Sequence, residues 1–154
     1  MSCVWRNTVA IAALLFALSA VPTARAANHH ELNGTWMLVP DRCDFGGQPS
    51  IQSGTVTIWD REHNITVTRT FALCDGDGRS ISYTFGMDGQ SGATIHEGKS
   101  IKHKARWEGN TLVVTTTEER IPTVERFSLG PDGMLVLAVE RANLPTMTLL
   151  FRRQ

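Results

Sequence analysis

Apolar and polar residues alternate with period two through most of the chain beyond residue 33, in short runs. Such alternation predicts strands with one face on a core and the other in water. The runs fall at 34–39, 54–60, 64–73, 79–85, 93–97, 100–108, 111–119, 122–129, 134–141 and 147–152. Between them stand Asp75-Gly76-Asp77-Gly78, Asp88-Gly89, Glu108-Gly109-Asn110 and Pro131-Asp132-Gly133, the residue types that tight turns select. Thr, Val and Ile crowd the runs, as strand packing prefers. No stretch of helical period survives past residue 26. Nine or ten consecutive strands with short connections predict an antiparallel meander, which gains by closing because closure removes unpaired edges. The expected fold class is therefore all-β, an antiparallel up-and-down β-barrel of roughly 8–10 strands; a two-sheet Greek-key sandwich is the rival.

The first residues follow a different pattern. Arg6 lies in a short polar start, Thr8–Val21 is an uncharged apolar run, and Ala24-Arg25-Ala26 places small residues around one position. That order is the mark of a secretory signal peptide over residues 1–26, with cleavage after Ala26. The run falls short of the ~20 residues a spanning helix needs, so no membrane anchor is expected after cleavage. Residues 27–32 read as a flexible tail and 33–154 as a single barrel domain, expected to be a secreted or periplasmic monomer. Cleavage also removes Cys3 and leaves Cys43 and Cys74, an even pair that an oxidising compartment favours as a disulfide. Closing that loop would add roughly 3–4 kcal/mol.

The whole chain carries 15 basic and 15 acidic side chains, which argues against a nucleic-acid partner. Ala93–Ser100 (ATIHEGKS) fits a permissive phosphate-loop pattern, but a period-two run follows where that loop requires a helix, so it reads as a hairpin. Asp75-Gly76-Asp77-Gly78 lacks the remaining ligands of a calcium loop and reads as a solvated turn. The sequons at Asn33 and Asn64 read as unmodified, the leader having a bacterial look. There is no G-x-S-x-G elbow, and His29, His30, His63, His96 and His103 make no zinc motif. Glu118, Glu119, Glu125 and Glu140 leave a paired-carboxylate enzyme open as the least favoured class. No cofactor and no resident metal are expected. A chain beginning Ala27-Asn28-His29 would nevertheless offer an amine, two amides and an imidazole to Cu(II) in vitro.

Asn33-Gly34-Thr35-Trp36, opening the first strand, resembles the Gly-x-Trp start of lipocalins and related calycin barrels. Residues 105–114 and 125–133 resemble small secreted bacterial lipocalin-like proteins of unassigned function. The resemblance implies that Trp36 packs at the closed barrel end against an arginine of the last strand, Arg152 or Arg153. It also implies a lumen for a small, partly apolar ligand.

Polar residues that interrupt apolar rows mark the candidate site. Arg69 shares its face with Ile65, Val67, Phe71 and Leu73; Tyr83 with Ile81 and Phe85; and His103 with Ile101, Ala105 and Trp107. Arg69, Tyr83 and His103 are expected to form a polar end to the lumen that holds an anionic or hydroxylated head group, with Phe71 and Trp107 as apolar contacts. The competing account pairs Arg69 with an inward carboxylate such as Glu140, filling the lumen. A secreted protein-interaction or inhibitor module with a filled core is the alternative to ligand binding.

Overall fold

Each alternating run becomes a strand because its apolar face can be buried only against other strands. The computed structural model describes residues 29–73, 78–86 and 89–154. Among them are ten strands: β1 Gly34–Leu38, β2 Ile51–Arg61, β3 Asn64–Leu73, β4 Gly78–Gly86, β5 Gly92–His96, β6 Lys99–Glu108, β7 Thr111–Glu118, β8 Ile121–Leu129, β9 Leu135–Arg141 and β10 Met147–Arg153. Every sequence-read run coincides with one of them. The hydrogen-bonded order is β4-β3-β2-β1-β10-β9-β8-β7-β6-β5, antiparallel throughout. β1 joins the two halves of the chain, pairing Trp36 with Arg153 and with Val56. The result is an up-and-down barrel with one seam, between β4 and β5.

Residues 29–32, read from sequence as the end of a tail, form a 3-10 turn that buries Leu32 in the core. The His29 ring stacks on Trp107 (centroids 3.9 Å apart) and its Nε2 donates to the Gly109 carbonyl at 3.2 Å. A second 3-10 turn, Pro40–Arg42, follows β1. The signal-peptide residues, Ala27, Asn28 and Cys74 lie outside the described residues. Cys43 is a half-buried thiol here, with Sγ donating to the Val39 carbonyl and accepting from Leu150 N. Burial pushes its pKa up.

The two ends of the barrel differ. Toward the start of β1 the lumen is filled by Trp36, Ile58, Ile65, Phe127, Leu135 and Phe151, each with no exposed surface. Trp36 Nε1 donates to the Leu32 carbonyl at 2.9 Å, and the Arg153 guanidinium lies 4.2 Å above its ring. Arg153 thus supplies the partner expected of a last-strand arginine, and Arg152 points elsewhere, toward Met37 Sδ. Toward the opposite end, where β3 finishes and β4 begins, packing loosens into a cavity.

Candidate functional site

Parity along β3 and β8 places two opposite charges inside the barrel. Arg69 follows Ile65 and Val67 on the inner face of β3, and Glu125 precedes Phe127 on the inner face of β8. Strands so far apart in the sheet meet only across the lumen, where Arg69 Nη1 donates to Glu125 Oε1. Their side chains are 11% and 6% exposed. A buried ion pair of this kind is held by the mutual compensation of two desolvated charges. Burial draws the Arg69 guanidinium down to about 10, still cationic at neutral pH. The Tyr83 ring lies 5.5 Å beneath the Arg69 guanidinium, and burial raises its phenol. Among the described residues, Arg69 Nε and Glu125 Oε2 are buried without hydrogen-bond partners.

Above this layer lies a cavity of about 330 Å³. Its floor is Arg69, Glu125 and Tyr83, and its walls are Ile51, Phe71, Ile81, Ile101, Leu137, Val139, Met147 and Leu149. Its rim carries Arg79, His96, Glu118 and Arg141. Glu118 is engaged by Lys99 at 3.0 Å. The arrangement is an apolar chamber with polar groups at both ends, the usual make-up of a small-molecule site.

Three of the five sequence-read ligand residues, Arg69, Tyr83 and Phe71, meet in this chamber. His103 and Trp107 do not line it. His103 closes the seam instead: its ring packs on Tyr83 (5.1 Å) and edge-on against Phe85 (5.2 Å), while Nε2 is 2.9 Å from Thr94 Oγ1. Gly92 makes this possible, because a Cβ there would come within 2.5 Å of the His103 ring. Trp107 packs against the core under the stacked His29 ring. The carboxylate that Arg69 finds is Glu125 rather than Glu140, which faces outward to Arg126 at 3.3 Å. Glu119 is also on the surface, paired with Lys99. The facing of the two carboxylates was readable, since Thr123, Glu125 and Phe127 alternate with outward residues on β8, whereas Glu140 alternates with the buried Val139.

His103 gives the seam a pH dependence. Burial lowers its pKa below the unfolded value of about 6.5. The folded state therefore binds fewer protons than the unfolded state as acid is added. The contribution is full above about pH 6.5 and is lost as pH falls below it. His103→Gln, which can still reach Thr94 but does not titrate, is expected to flatten the loss of urea midpoint between pH 7 and 5. An unchanged slope would place the acid sensitivity elsewhere.

No protein-family model and no curated protein sequence matches the chain. Solved structures do resemble it. Secretory abundant heat soluble protein 4 from Ramazzottius varieornatus superposes with a TM-score of 0.63 at 17% identity, over 80% of this chain and 95% of that one. The fluorescent protein UnaG gives 0.63 at 17% identity, over 81% and 98%. A Schistosoma mansoni fatty acid binding protein in complex with arachidonic acid gives 0.62 at 15% identity, over 84% and 99%. The fold is that of the calycin-like barrels.

Proposed function

We propose that this protein is an exported, lipocalin-like carrier that holds one small amphiphile in the chamber above Arg69, Glu125 and Tyr83. The chamber itself carries the reading: about 330 Å³ bounded by aliphatic and aromatic walls, with a polar floor and an open, polar rim. At roughly 30 Å³ per water-sized unit of volume, it suits a ligand on the order of ten non-hydrogen atoms. The similarity to a barrel solved with arachidonic acid supports a ligand with an apolar tail. A chamber of about 330 Å³ favours a medium-length chain.

Displacement of a fluorescent amphiphile should be saturable, with one ligand per chain and affinity rising as the tail grows to about ten carbons. Ile81→Trp, filling the chamber from β4, should abolish it while the β-sheet circular dichroism persists. A wild-type protein that binds no member of a broad amphiphile panel would defeat the proposal. The export part has its own test, the N-terminus of protein made in a secreting bacterial host. Ala27 is the expected first residue, and retention of residues 1–26 would refute export by this signal. Export carries with it the Cys43–Cys74 bond, so thiol titration of that unfolded, unreduced protein should find no free thiol.

A further inference from the structure

We infer that the floor of the chamber selects an uncharged head group carrying both a hydrogen-bond donor and an acceptor, such as a primary amide or hydroxyl, over a carboxylate. The inference rests on the carrier reading above and sharpens it. The chamber's two deep charges cancel, because Arg69 is already neutralised by Glu125 across the lumen. The pair keeps hydrogen-bonding capacity of both kinds: Glu125 engages only Nη1 of a guanidinium that carries five N–H groups, and among the described residues Arg69 Nε and Glu125 Oε2 are buried without a partner.

A carboxylate arriving at Arg69 would have to share it with Glu125. Two carboxylates would then face one guanidinium in a site nearly closed to water, leaving an uncompensated negative charge where such charge is costly. A primary amide avoids this. Its N–H can donate to the carboxylate and its carbonyl can accept from the guanidinium while the ion pair stays intact. The Tyr83 hydroxyl adds a group able to play either part. Arg79 and Arg141 at the rim are exposed, so solvent screens their charges far more than it screens the buried pair.

Isothermal titration of decanamide and of sodium decanoate at pH 8, where the acid is ionised, tests the inference on the wild-type protein. The amide is expected to bind about tenfold tighter, since the acid must bring an unpaired charge to a dry site. Glu125→Gln, nearly isosteric, removes the competing carboxylate, leaves Arg69 unbalanced and should reverse the order. Decanoate bound by the wild type as tightly as the amide, or tighter, overturns the inference and leaves the carrier reading standing. Failure of the wild type to bind either probe, or any other amphiphile, overturns both. The wild-type comparison is decisive even if the variant does not fold.

Discussion

Methionine in place of Arg69 is expected to cost about 3–5 kcal/mol of unfolding free energy, the usual penalty for stranding one member of a buried ion pair. The reason is Glu125 rather than the lost arginine. Its carboxylate is 6% exposed, and its hydrogen-bonded oxygen has Arg69 as partner. Without the guanidinium it must either stay charged in an apolar chamber or take up a proton, and both lower stability at neutral pH. The double variant Arg69→Met/Glu125→Leu removes both charges and should regain most or all of the loss, because well-packed apolar residues replace buried pairs at little cost. Urea unfolding of the wild type, both single variants and the double variant completes the cycle. Single variants that each lose under about 1 kcal/mol would mean that water reaches the pair. The cycle also governs how ligand binding is to be read. Arg69→Met alone confounds a lost contact with a damaged floor, whereas the double variant keeps a floor and should bind amphiphiles of one tail length without preference for the head group.

The sequence told more about which way side chains face than about which of them meet. Parity along β3, β4 and β6 put Arg69, Tyr83 and His103 inside, and all three are inside. Parity is a local property, set by the alternation of the strand backbone. Meeting depends on how the barrel closes, and that is set by pairings between residues far apart in the chain. His103 goes to the seam because β4 and β5 are not paired to one another, a fact of topology. Its one local trace is Gly92, a glycine inside a strand where a ring needs room. Trp107 could have been set apart by arithmetic, since four residues of strand separate it from His103 by about 13 Å. β2 begins three residues before the alternation suggested. Its register shifts between Ile51 and Ser53, so a period-two count started at Gly54 cannot be carried back through the irregularity. Glu125 shows the limit clearly. Its inward face was legible from Phe127, but nothing local says that β8 looks across the lumen at β3.

The other large effect is expected at the closed end, where Trp36→Ala should cost about 3–5 kcal/mol. Trp36 has no exposed surface, and it stands on the one strand that pairs with both β2 and β10, so its side chain is packed where the barrel closes on itself. Two further interactions converge on it. Its indole N–H satisfies the Leu32 carbonyl, which ties the 3-10 turn His29–Leu32 to the barrel floor. Arg153 covers its ring, and the two guanidinium nitrogens of that arginine donate at 2.6 Å to the carbonyls of Asn33 and Glu31. Gly34 leaves room for this lid: its φ is +126°, and a Cβ there would lie 2.9 Å from Arg153 Nη1. The Gly-x-Trp opening of the first strand is thus one physical unit, a glycine that admits an arginine onto the tryptophan two residues on. Trp36→Phe keeps an aromatic ring under Arg153 but strands the Leu32 carbonyl, so it should cost distinctly less than alanine, about 1–3 kcal/mol. Denaturant unfolding of the two variants, compared at equal slope, measures the difference. If alanine and phenylalanine cost the same, the hydrogen bond to Leu32 dominates and the packing argument fails. If alanine costs under about 1 kcal/mol, the closed end is not where the barrel is held shut.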